Sequence, residues 1–148
     1  MNQIGQEALD EARQWIGTPY RHQASTKGAG ADCLGLLRGV WRKLYGAEPE
    51  VVPAYTPGWS ETKGEERLMR AALRHLELVP KDAPLEAGQV VLFRMRDGSV
   101  AKHLGLIGAN AAEPTFVHAY SGHAVLESPL SAPWVRRIVA RFDLPERT

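Results

Sequence analysis

Apolar side chains recur at helical spacing through the first half of this chain and at strand spacing through much of the second. That change of period limits the fold more than any other feature. Ile4, Ala8, Leu9, Ala12, Trp15 and Ile16 predict a first amphipathic helix, closed by Gly17-Thr18-Pro19. A loop over 20–31 follows, with Gly28 and Gly30 just ahead of Asp32-Cys33. Leu34, Leu37, Trp41 and Leu44, widened by Leu36 and Val40, predict a largely buried second helix that starts at Cys33 and is capped by Gly46. Pro49, Pro53 and Pro57 with Gly58 make 47–60 an irregular excursion, and a third helix is expected over 61–76. Strands are expected over 89–94 and 99–107, joined by Asp97-Gly98, and then over 115–120, 123–127 and 135–142. Helices first and about five strands second predict an α+β domain with an antiparallel sheet. The 148 residues suit a single domain, 1–148.

Charge and cysteine content remove several classes. Lysine plus arginine total 18 against 17 acids, a net charge of +1, so the basic excess of a nucleic-acid binder is missing. One cysteine, Cys33, can form neither an internal disulfide nor a multi-cysteine zinc site. No apolar run approaches a membrane span, so no membrane insertion is expected. Glu7, Asp10 and Glu11 interrupt the N-terminus, which lacks the pattern of a secretory signal. The expectation is synthesis in the cytoplasm without a signal peptide.

Cys33 is the first candidate for chemistry. A buried cysteine is usually a small hydrophobe. Three local features set this one apart: it opens a helix, Asp32 before it is a good N-cap, and the Gly28/Gly30 loop permits close approach. The helix dipole at that position is expected to favour the thiolate, and the helix's first N–H groups can face an oxyanion.

A thiolate nucleophile needs a base, and the chain has five histidines. His75 lies among Arg70, Arg74 and Glu77 and reads as a surface residue. His103 and His118 fall in strands expected to be consecutive. Pairing Ile107 with Pro114 across the connecting loop would set His103 directly opposite His118, on one face of the ladder. Thiol, base and a polar group fixing the base's tautomer are what nucleophilic catalysis requires. The alternatives are two satisfied strand histidines, or a zinc site of His103, His118 and His123, which has no evident fourth ligand and leaves Cys33 unexplained. Gly28-x-Gly30 is not a phosphate loop, and nothing in the sequence implies a metal or organic cofactor.

Gly17-Thr18-Pro19-Tyr20, Asp32-Cys33-Leu34-Gly35-Leu36, His103-Leu104-Gly105-Leu106-Ile107 and His118 together resemble the NlpC-type cell-wall peptidases. These are papain-like cysteine peptidases built as N-terminal helices followed by an antiparallel sheet. The resemblance runs from the first helix to about Phe142. The stretch 122–130 looks like the compact version found in tail modules of phages and gene-transfer particles. The resemblance implies Cys33 as nucleophile, His103 as general base and His118 as the third polar residue orienting it. It implies that Tyr20 sits with its hydroxyl beside the nucleophile, and that Asp32 can hold a substrate's free amine. The implied reaction is hydrolysis of the bond between D-glutamate and a diamino acid in peptidoglycan stem peptides. The implied partners are those peptides and phage-like tail or hub proteins, with action on the periplasmic wall after delivery by a particle or by lysis. Two positions depart from the family: Leu34 stands where serine is usual, changing the subsite beside the nucleophile, and Gly88-Gln89 replaces the usual Gly-Asp.

The rival readings are an amidase or acyltransferase on the same Cys33–His103 scaffold, and a non-catalytic tail or assembly protein. Residues 49–59 and the third helix are expected to wall the substrate groove.

Overall fold

The computed structural model describes residues 3–52, 66–96, 98–108 and 112–147. Helix α1 (Gln3–Gln14) buries the predicted stripe of Ile4, Ala8, Leu9 and Ala12, with Trp15 buried just beyond its end. Trp15 packs onto Gly39 of helix α2 (Cys33–Tyr45). A Cβ at Gly39 would stand 2.0 Å from the indole, so a side chain there would push the two helices apart. The indole N–H donates to Glu11, which also pairs with Lys27 at 2.7 Å, so the buried acid of α1 is hydrogen-bonded and neutralised. Helix α2 ends at Gly46, where φ is +90° and the N–H returns to Arg42 O.

Within the loop that precedes α2, β1 (Ser25–Thr26) and β2 (Gly30–Ala31) form a two-residue ladder too short to show any alternation in sequence. After α2 the chain forms helix α3 (Arg67–His75), shorter than the predicted 61–76; residues 61–65 lie outside the described residues. Strands β3 (Glu77–Val79), β4 (Val90–Arg94), β5 (Ala101–Ile107), β6 (Thr115–Ala119), β7 (Val125–Pro129) and β8 (Ile138–Asp143) build one antiparallel sheet in the order β3-β8-β4-β5-β6-β7. The α+β prediction holds, with six strands in this sheet among the described residues rather than about five. The extra one, β3, is three residues long and follows α3 almost directly, so no alternating pattern marks it.

Two other boundaries differ. Strand β7 begins at Val125, because Tyr120 to His123 form a turn with Gly122 at φ +83°. The last strand, expected over 135–142, begins only at Ile138, because Val135 ends a short helix, α4 (Ala132–Val135), with proline in its first turn, where a missing N–H costs nothing. Gly98 of the expected hairpin turn has φ +77°, while Asp97 lies outside the described residues.

The sheet has a core on each face. Leu104, Leu106, Val117, Ala119 and Val125 face α1 and α2. On the reverse face Phe93, Ile107, Phe116 and Leu130 gather with Trp134 of α4. Between β5 and β6 the pairing is short: Leu106↔Val117 and Ile107↔Phe116.

Candidate active site

The cysteine half of the site is built from backbone hydrogen bonds. Asp32 is buried and caps α2 as predicted, accepting from Gly35 N–H at 2.7 Å. Its other oxygen accepts from Gln23 N–H, also at 2.7 Å, and Gln23 holds a positive φ of 66°. One carboxylate thus ties the 20–31 loop to the helix start. Ser25 Oγ donates to Gly35 O at 2.6 Å, and a Cβ at Gly35 would stand 1.8 Å from Ala24 O. Glycine is needed there for the loop to lie against the helix. Each carboxylate oxygen thus already accepts one backbone N–H, so capping and loop closure are tasks the geometry gives Asp32.

The histidine half is built across the sheet. The observed β5–β6 register pairs Ile107 with Phe116, two residues beyond the predicted Pro114. An even offset keeps the same face, because side chains alternate with a period of two. His103 and His118 are therefore diagonal neighbours rather than directly opposed. Their rings still meet: His103 Nε2 and His118 Nδ1 are 2.8 Å apart, with the rings near perpendicular. Gly105 makes room for this, since a Cβ there would stand 3.1 Å from that of His118 and 2.9 Å from the Phe116 ring.

The two halves meet at β5. Ile107 exchanges hydrogen bonds with Gly88 and Gln89, so alternate residues 103, 105 and 107 turn their backbone groups towards β4. Lys102 and Leu104 turn theirs the other way, into the stretch where β5 has no ladder partner in β6. The Cys33 sulfur lies there: its thiol donates to Lys102 O at 3.8 Å, and Leu104 N–H points at it. The Cys33 sulfur thus sits against the backbone on either side of His103.

Electrostatics add a correction. The dipole was expected to favour a Cys33 thiolate, but burial of the sulfur, reinforced by the Asp32 charge, pushes the thiol up to about 12. The N–H groups of Leu104, Leu34 and Cys33 pull the other way and lose. Burial drives His103 down to about 3, and His118 and Lys102 add to the effect. His118 is held down at about 4, by burial first and then by His123. Phe93, Phe116, Trp134 and Tyr120 surround the imidazoles; Phe116 stacks on His118 at 4.0 Å, and Trp134 lies 5.6 Å from His103. The resting site therefore holds a neutral thiol beside neutral imidazoles. Burial also pushes the Tyr20 phenol up to about 12, ahead of the charges of Cys33 and Asp32, leaving a protonated hydroxyl in the neighbourhood of both.

Leu34 borders a cavity of about 330 Å³ whose other walls include Trp41, Pro49, Glu50, Val52 and α3. Of the segment expected to wall a substrate groove, Pro49, Glu50 and Val52 border this cavity together with α3, and residues 53–59 lie outside the described residues. His75, expected as a surface residue, is half-buried on that cavity, 3.5 Å from a Glu50 oxygen. Among the described residues no three His, Cys, Asp or Glu side chains gather as a metal site. Two residues of the histidine half went unrecognised in sequence: Ser128, whose Oγ lies 3.0 Å from His118 Nε2, and Trp134. Ser131-Ala132-Pro133 is a helix-start signal that would have found the second.

Helices packed on an antiparallel sheet in this order are the fold of the NlpC/P60 structures, and comparison with solved structures bears that out. An NLP/P60-family protein described as similar to lipoprotein, from Staphylococcus aureus, matches 99% of this chain at a TM-score of 0.63 and 17% identity. The NlpC/p60 domain of the peptidoglycan hydrolase SagA matches 97% at 0.58 and 21% identity, over its full length. Ly7917, solved with the hydrolyzing product of MDP, matches 95% at 0.58 and 15% identity, with 63% of its own length covered. The chain spans 43% of the Staphylococcus aureus protein. No family model and no curated protein matches the sequence.

Proposed function

We propose that this chain is a cell-wall hydrolase of the cysteine-peptidase type, cleaving an amide in peptidoglycan stem peptides. The observation that carries this reading is the Cys33 sulfur set against the His103 segment of β5 while His103 Nε2 is tied to His118. That tie leaves Nδ1 of His103 as the nitrogen to take the thiol proton. In the first step the proton passes to His103 as sulfur bonds to the carbonyl carbon. The C–N bond then breaks, His103 returns the proton to the leaving amine, and an acyl-thioester remains. Water, deprotonated by His103, releases the acid and regenerates the thiol. Because thiol and imidazole rest neutral, proton transfer accompanies attack rather than preceding it.

The D-glutamyl–diamino acid bond is the proposed target, on the family resemblance. A role in a phage-like or gene-transfer tail, delivering the enzyme to the periplasmic wall, is proposed on the resemblance of 122–130. The experiment is digestion of purified peptidoglycan by wild type and Cys33→Ala, read by mass spectrometry. Stem-peptide fragments from wild type alone are expected, and their masses name the bond. Equal fragment patterns from both proteins, or none from either while both stay folded, would overturn the reading.

A further inference from the structure

We propose that Ser128 is a positioning residue for the catalytic base, the outer end of a hydrogen-bond chain from Ser128 through His118 to His103. The proposal rests on the hydrolase reading and adds to it a residue with no counterpart in the Cys–His–His set. His118 Nδ1 lies 2.8 Å from His103 Nε2, and His118 Nε2 lies 3.0 Å from Ser128 Oγ. Both imidazoles are neutral, so each ring carries one proton, and two arrangements of the chain exist. In one, the serine oxygen accepts from His118 Nε2–H, His118 Nδ1 accepts from His103 Nε2–H, and His103 Nδ1 keeps its lone pair for Cys33. In the other, the serine donates, both rings carry hydrogen on Nδ1, and His103 cannot take the thiol proton.

Two features select the first. The Nε2–H form is the intrinsically favoured tautomer of neutral imidazole, and the first arrangement gives it to both rings. Ser128 is half-exposed, so its own hydrogen has solvent to donate to, whereas His118 is 2% exposed and its Nε2–H needs an acceptor in the protein.

The strand that carries Ser128 is fixed from both sides. Phe116 of β6 pairs with Ser128, and beyond β7 the Gly17 N–H and Thr18 O hold Val125 at 2.9 and 2.8 Å. The preceding residue, Glu127, accepts two hydrogen bonds from Arg13 of α1 and one from Thr115 at 2.6 Å. Ser128 therefore meets His118 from a strand with little freedom to move away.

Nitrogen-15 NMR of the imidazoles tests the chain independently of any substrate. Wild type is expected to show Nε2–H on both His103 and His118, and Ser128→Ala a mixture of forms. In peptidoglycan digestion Ser128→Ala is expected to lower kcat about three- to tenfold with KM unchanged, the effect of one lost hydrogen bond. Ser128→Thr, which keeps a hydroxyl and suits a strand, is expected to restore both readouts. Nδ1–H on His103 in wild type, or a Ser128→Ala protein unchanged in tautomer, would overturn the proposal. If wild type releases no fragments at all, the hydrolase reading fails, and the NMR arm still decides whether Ser128 sets the tautomer.

Discussion

Cys33 and His103 reach the same stretch of β5 along different routes. Cys33 is placed by its own neighbours in sequence: Asp32 caps the helix, Gly35 admits the loop, and Ser25 and Gln23 close it. His103 is placed by residues 13 to 31 positions away, Phe116 and His118 on the neighbouring strand β6 and Trp134 on the short helix α4. The first half is polar, local and fixed by backbone hydrogen bonds. The second is aromatic and cross-strand, and its imidazoles are kept neutral by burial. A nucleophile can be positioned by a few adjacent residues, whereas a base tuned by its surroundings needs a folded sheet.

That contrast can be broken at several points. The largest effect is expected at the base: His103→Ala should slow hydrolysis about 10²- to 10⁴-fold while thermal unfolding stays cooperative, the range for a lost general base. Activity within about threefold of wild type would remove His103 from the reaction.

At the cysteine half, Gly35→Ala should destabilise the protein by about 1–3 kcal/mol, since the new Cβ meets Ala24 O and the loop must shift. Urea unfolding measures this, and an unchanged midpoint would show that the loop does not need its present place. Gly105→Ala sharpens the opposite half. A Cβ there would meet the Val117 carbonyl, the Phe116 ring and the His118 Cβ, so it should both lower the unfolding midpoint and disturb the imidazole pair in NMR, and unchanged imidazole signals would show that the pair does not need this glycine.

Acid should attack the histidine half. His103 and His118 titrate lower in the folded protein than in the unfolded chain, which therefore binds protons first. Stability should be fully present above about pH 6.5 and fall as pH drops towards 4, by at most about 1.4 kcal/mol per pH unit for each histidine. His118→Gln should flatten that fall in urea titrations at successive pH values. A stability that rises on acidification would contradict a buried neutral pair.

The smallest effect concerns the thiol. With Cys33 pushed up to about 12, alkylation by iodoacetamide should be slow at pH 6 and still accelerating above pH 9. A fast plateau from pH 6 would mean that the dipole, not burial, governs the sulfur.

What the sequence determined by itself is the order of helices and strands, the cap at Asp32 and the start of α2 at Cys33. Each follows from residues within a turn or two of one another, where side-chain type and spacing are the physics. The shared face of His103 and His118 was also legible, because any even register leaves it unchanged. Only the tertiary structure decided that the rings meet on the diagonal over Gly105, that Trp134 and Ser128 join them, and that the sheet has a sixth strand in β3. These depend on loop length and on which strands lie side by side. It also decided the charge state of the site. A helix dipole can be read from position in a sequence, but desolvation depends on how much of the folded chain surrounds the sulfur, and at Cys33 desolvation prevails.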